Sequence, residues 1–497
     1  MVNASARPSI VWFRDDLRLA DQPALDAACA RAAPVLCIYV LDVADKGLRP
    51  LGGASRWWLH HSLRALAQEI ACRGGRLDLF RGAAETLLPE VAARSGAGAA
   101  FWTRRYGGAE ITRDARLETA LTAAGVECAS FKGQLLHEPW EVKAKTGAAF
   151  KVYAPFWRAV QAMSDPEEPL PAPLTVRSAR YPDDGPQRAS LPELGLLPTR
   201  AEWTKGLAKS WTPGEGGAAT RLKTFVENSL ANYAEGRDDL AIFATSRLSP
   251  HLRFGEISPR QVFTAAKPAR RTPEVRQAPA RPKGSEKFLA ELGWREFNYH
   301  LLFHHRDVAE TNFDAKFDAF PWRDPPKAEI AAWRMGQTGY PLVDAGMREL
   351  RTTGYMHNRV RMVAASFLIK HLLIDWRIGE KWFWDTLCDA DPANNPLNWQ
   401  WIAGSGADAA PFFRVFNPAL QGKKFDPSGA YVRRHVAELA AMPDKWIHQP
   451  SSAPAEVLAK AGVELGKTYP RPMVDHAKAR ARALAAFATI KGGLQRS

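Results

Sequence analysis

Short apolar runs rich in β-branched and aromatic residues recur through the first quarter of the chain, separated by stretches rich in Ala and Leu. They are SIVWF from Ser9, VLCIYVL from Val35, LDLF from Leu77, AAFW from Ala99 and VECASF from Val126. Strand-like runs alternating with helical stretches predict a Rossmann-like α/β domain with a five-stranded parallel sheet. Between residues 164 and 198 prolines become frequent and periodicity fades, as in a linker. Beyond residue 218 the pattern is helical, with long segments over 285–305 and 357–376 and few convincing strands. The predicted organisation is an α/β domain over 1–133, an inter-domain linker over 134–215 and an all-α domain over 216–497. No internal repeat is evident.

Composition narrows this picture. A chain of 497 residues is too long for one core, and 46% hydrophobic with 24% charged residues is ordinary for globular proteins. Lys and Arg outnumber Asp and Glu by 67 to 53, a net charge of +14 that suits a polyanionic partner such as nucleic acid. Cys29, Cys37, Cys72, Cys128 and Cys388 lie far apart, without zinc or redox spacing, so a reduced cytoplasmic chain with no metal site is expected. No apolar run approaches the roughly 20 residues that span a bilayer, and the N-terminus lacks a signal-peptide pattern. The 17 Trp residues imply aromatic surfaces beyond routine packing. A basic, proline-rich insert over 266–285 carries Arg270, Arg271, Arg276, Arg281 and Lys283, and reads either as a solvated loop or as a phosphate-facing arm.

Several familiar motifs fail. GVELGKT near the C-terminus is one residue short of a phosphate loop, because position 461 is Ala. No G-x-G-x-x-G follows a strand and no H-E-x-x-H occurs. Three helical-domain stretches instead concentrate aromatic, amide and charged side chains. In the first, Phe288 to His300, Glu291 and Trp294 share a helix face, with Arg295 adjacent. The second, from Gly354, brings Asn358, Arg361 and Met362 to helical spacing and ends at Asp375 and Trp376. The third, CDADPANNPLNWQW from Cys388, places Trp399 and Trp401 about 200° apart on a helix, so one faces inward and the other a cavity.

Motifs quoted in order along the chain resemble the DNA photolyases of the cryptochrome/photolyase superfamily. They are VWFRDDLRLAD from Val11, TSRLSPHLRFGEISP from Thr245, the WREF segment, GYPLVDAGMRELRTTGYMHNRVRM from Gly339, and NWQWIAGSGADAAPFFRVFNPALQGKKFD from Asn398. The resemblance implies an α/β antenna domain and a helical domain holding FAD beneath a basic surface that receives a flipped-out base. It places Tyr233, Thr245, Ser246, Arg247, Leu248 and Ser249 on the FAD phosphates, with Glu291, Arg295 and Asn358 also near the cofactor. It further implies an Arg361–Asp389 ion pair beside the ring system, Asp391 at its polar edge and Asn395 at N5. For the lesion it implies Glu291, Trp294, Asn358, Met362 and Trp401, with Arg237, Arg359 and Arg414 on the DNA side. Trp399, Trp376 and Trp322 match the superfamily's light-reduction chain.

The implied reaction is repair of a cyclobutane pyrimidine dimer by electron transfer from photoexcited, fully reduced FAD, with no net redox change. Glu291, in an expected apolar and aromatic setting, would serve best as a protonated donor. Asn358 stands where (6-4) photolyases resemble one another in having a second histidine, which favours the cyclobutane dimer. The short tail after the last helix favours an enzyme over a signalling cryptochrome, and a monomer is expected. DAAPFFRVFNP resembles bacterial class I and class III photolyases. For the antenna, Glu110 matches the folate-binding pattern, while Ala109, Ala309 and Glu310 depart from it. The implied antenna is methenyltetrahydrofolate, with a deazaflavin as the alternative.

Overall fold

A computed structural model describes residues 7–182, 185–198, 203–267 and 283–491. Most of the basic insert, including Arg270, Arg271, Arg276 and Arg281, lies outside the described residues; Lys283 opens a helix. Two compact units emerge. One comprises residues 1–201, 211–231 and 246–306, the other residues 202–210, 232–245 and 307–497. Among the described residues no helix is long and apolar enough to cross a membrane.

The first unit is built on the predicted sheet. Its strands are β1 (Ser9–Phe13), β2 (Val35–Asp42), β3 (Leu77–Gly82), β4 (Ala99–Thr103) and β5 (Glu127–Phe131), all parallel in the order β3-β2-β1-β4-β5. β1 and β4 are buried along their whole length, because helices cover both faces of a parallel sheet. The core joins Ile10, Trp12, Ile38, Phe80, Trp102 and Leu117. The linker is no free tether, since its backbone pairs with sheet residues: Val35 N–H donates to Arg177 O, and Ala189 N–H donates to Leu79 O.

The FRDDLRLAD stretch after β1 is a buried charge lock. Arg18, fully buried, donates to the carbonyls of Asp21, Gly133 and Gly255. Asp15 pairs with Arg105 and Arg253 at 2.9 Å each, and these two guanidiniums hold its pKa down at about 2 against the opposing effect of burial. Asp21 accepts from Ser258 and Arg260. Gly255 (φ 63) lies so close to the Asp15 backbone that a Cβ would collide with it. The motif that most resembles the family therefore fastens the sheet to residues 246–266.

The second unit is helical, around a core that includes Leu342, Met347, Val360, Phe367, Trp376 and Phe383. One expectation is corrected here. The predicted helix over 357–376 is instead a helix Asn358–Ser366, a π turn Phe367–His371, a left-handed Leu373 (φ 54) and a new helix Trp376–Thr386 capped by Asp375. Periodicity missed the break because the apolar run is buried on every side.

Candidate functional site

In the first unit the helix Lys283–His304 carries Glu291, Trp294 and Arg295. Trp294 lies flat on Tyr153, ring centroids 3.8 Å apart and 9° from parallel, and Trp157 stacks parallel to Tyr153 at 6.5 Å. Tyr153 is fixed by its hydroxyl, which donates to Ala290 O at 2.6 Å. One face of the Trp294 indole is thus covered by a ring, and the other carries no stacked ring among the described residues. The apolar setting expected for Glu291 is corrected: its carboxylate pairs with Lys287 at 3.0 Å and is 27% exposed. Arg295 donates to Gln134 O at 2.7 Å and pairs with the buried Glu296. Glu296, with its pKa raised to about 7 by burial, accepts from the Leu136 and His137 N–H groups and ties residues 134–137 to the helix.

The 245–249 loop presents half-buried Thr245 and Ser246 and exposed Ser249; Leu248 is buried and donates its N–H to Ser246 Oγ. Arg247 sits in the left-handed region (φ 50), with its guanidinium over Trp211 at 4.5 Å. Glu110 folds back over Gly107.

In the second unit, Asn358 opens the helix Asn358–Ser366 exposed, and its carboxamide has no hydrogen bond among the described residues. Met362, half-buried, stands one turn on, in contact with Arg359. His357 caps this helix through Nδ1, which accepts from Arg359 N–H. Burial pushes the His357 pKa down to about 4, outweighing the attraction of Asp238, so the ring is neutral near pH 7. Arg359 makes a two-pronged pair with Asp238, 2.6 Å on each arm, which fixes its guanidinium through Nε and Nη2. Arg237 lies over the buried Tyr233 at 5.6 Å.

Arg361 pairs with Asp389 at 2.8 Å and donates to Met356 O at 2.7 Å. Asp391 accepts from the N–H groups of Ala393 and Asn394, starting the helix Asn394–Ala403. On that helix Asn395 donates through Nδ2 to Glu380 O and Glu380 Oε1, at 3.1 and 2.7 Å. A carboxylate and a carbonyl accept only, so Glu380 fixes the amide and turns Asn395 Oδ1 outward as an acceptor. Two residues apart on the same helix, Trp399 is 3% exposed while Trp401 is half-buried. The Trp399 ring meets Phe383 edge-on at 4.9 Å and lies against Gly379, one turn beyond Trp376. Trp376 is fully buried and donates to Asn312 Oδ1, whereas Trp322 is half-exposed beside Phe320. Arg414 is exposed. Within the second unit, a guanidinium–carboxylate pair and one outward amide oxygen suit a flat, polar-edged ring.

Tyr153, Glu380 and Asp238 were missed from sequence. Each acts through a partner distant along the chain, and no local pattern joins them. The stacked pair of Tyr153 and Trp294 spans 141 positions.

The family model described as the FAD binding domain of DNA photolyase matches residues 288–489, and that described as DNA photolyase matches residues 9–174. The chain belongs to the DNA photolyase family of the cryptochrome/photolyase superfamily, and FAD is the cofactor its helical domain is built to hold. It is 52% identical over 484 residues to a deoxyribodipyrimidine photo-lyase of Agrobacterium fabrum, covering 97% of this chain and 98% of that one. Cryptochrome-1 of Arabidopsis thaliana is 40% identical over 95% of this chain and 69% of the plant protein. Among solved structures, a bacterial class III photolyase from Agrobacterium tumefaciens superposes with a TM-score of 0.92 at 51% identity, covering 99% of this chain and 100% of that one.

Proposed function

We propose that this chain repairs cyclobutane pyrimidine dimers in DNA, driven by light, as a carbon–carbon lyase of the class III type. The observation that carries this reading is Asn358, an exposed amide with no hydrogen bond among the described residues, beside a histidine held neutral by burial. An amide can donate to and accept from the edge of a damaged pyrimidine, and neither group supplies the proton that (6-4) chemistry needs. Bound FAD supplies the electron that the dimer borrows and returns.

The residues of this chain bind, orient and exclude water. Thr245, Ser246 and Ser249 offer hydroxyls to the phosphates, and the Arg361–Asp389 pair flanks the ring system. Asn395, its amide held through Nδ2 by Glu380, would offer Oδ1 as an acceptor at the ring's N5 position. Trp294 in the first unit and Trp401 in the second each offer an indole face for a base, and base–indole stacking gains about 1–3 kcal/mol per base. The buried Trp399 and Trp376 and the half-exposed Trp322 form a route for electrons from solvent. For the antenna we favour methenyltetrahydrofolate over a deazaflavin, on Glu110; extraction and absorption of the bound chromophore tests that assignment.

The test of function is to incubate the pre-reduced holoprotein with a dimer-containing oligonucleotide under near-UV light. Restored thymines are expected. Flavin that is photoreduced normally while dimers persist would instead favour a cryptochrome photoreceptor.

A further inference from the structure

Lys370 is a charged side chain with 1% exposure in the core of the second unit. It sits in the π turn Phe367–His371, and π turns are rare and frequently lie at functional sites. Its ammonium donates to the backbone carbonyl of Arg414 at 3.1 Å and lies 5.1 Å from the Phe412 ring centroid. Among the described residues no carboxylate pairs with it, and the charged group that acts on it is Arg414, also a cation. Burial, reinforced by Arg414, pushes its pKa down to about 7.

Such a lysine is a net cost to folding. Burying an ammonium with one neutral acceptor is unfavourable, and a methionine of similar length would fill the same space without that penalty. Its one hydrogen bond among the described residues is with the loop 404–416, which follows directly from the helix bearing Asn395, Trp399 and Trp401. That loop is tied near its start by Ala410 N–H donating to Trp401 O, and Phe412 is buried against Phe487 at 4.7 Å. Its next two side chains point out: Phe413 is 59% exposed, and Arg414 is exposed. A costly group whose hydrogen bond and cation–ring contact both fall on an exposed aromatic and basic loop is explained by what that loop does.

We infer that Lys370 is a positioning residue: it pins the Arg414 carbonyl and so holds the 404–416 loop in the shape that presents Phe413 and Arg414 to DNA carrying the lesion. This rests on the repair function proposed above. The test compares wild type, Lys370→Met and Lys370→Gln as holoproteins. In Lys370→Met we expect an unchanged or raised melting temperature, unchanged FAD content and unchanged light-driven flavin reduction. Amide exchange at Ala410, Arg414 and Val415 rises, and the Kd for a dimer-containing duplex weakens at least fivefold, while turnover at saturating DNA stays within twofold. Lys370→Gln, which keeps an N–H donor, recovers part of the affinity. A fall in melting temperature or loss of fold in Lys370→Met shows that the lysine serves stability, and overturns the proposal. So does binding within twofold of wild type. If wild type itself binds no dimer DNA, the repair reading fails, and loop exchange, which needs no DNA, still decides the positioning claim.

Discussion

Replacing Tyr153 with leucine is expected to weaken dimer binding while leaving the flavin untouched. Tyr153 covers one face of Trp294 at a centroid distance of 3.8 Å, nearly parallel, and is itself fastened to Ala290 O. Such a ring pair contributes about 0.5–1.5 kcal/mol beyond its buried area. An indole released from it must be immobilised again on binding, at a cost of about 0.5–1.5 kcal/mol. The two figures describe the same restraint from opposite sides, so the loss is taken once, and each 1.4 kcal/mol is a factor of ten. Free of any charge change, the substitution should therefore raise Kd by about two- to tenfold. Tyr153→Phe keeps the ring and loses only the hydroxyl bond, at about 0.5–1.5 kcal/mol of stability, so its DNA affinity should stay near wild type. Anisotropy titration of a labelled dimer duplex in the dark, at fixed salt, measures both variants. If Tyr153→Leu binds as tightly as Tyr153→Phe, the stacked tyrosine does not preorganise Trp294.

Other outcomes follow from the same geometry. Trp322→Phe should slow light-driven flavin reduction at least tenfold yet leave repair by pre-reduced protein intact; equal photoreduction rates remove Trp322 from the electron route. Glu291→Gln should retain most repair activity if hydrogen bonding at that position is what matters, whereas complete loss would show that the carboxylate itself is required. His357 is neutral in the fold, with a pKa of about 4, and charges near 6.5 once unfolded. The unfolded chain therefore binds more protons between these values, so the contribution is present above pH 6.5 and is lost as pH falls toward 4, at up to about 1.4 kcal/mol per pH unit. Denaturant titrations from pH 7.5 to 5 should show a shallower decline for His357→Gln, and parallel declines would reject the assignment. Dimer-duplex binding should weaken about tenfold or more over a modest rise in salt, as several phosphate contacts release counterions, and salt-insensitive binding would exclude the basic face.

Much of this protein was legible in one dimension. Five apolar runs with helical spacers specified the parallel sheet, because each strand and its following helix are local units and their alternation leaves few arrangements. The ordered family motifs pointed to FAD and DNA, and the opposite environments of Trp399 and Trp401 follow from helix geometry alone. Tertiary structure decided what distant partners do to each group. Lys287 beside Glu291, Gln134 and Glu296 around Arg295, and Asp238 against Arg359 each redirected a charge that the sequence left free. The π turn at Phe367–His371 broke a helix that periodicity had run through to Trp376. Periodicity and spacing report on neighbours within a few residues. Burial, ion pairing and the outward turn of the Asn395 amide depend on which side chains the fold brings together from far along the chain.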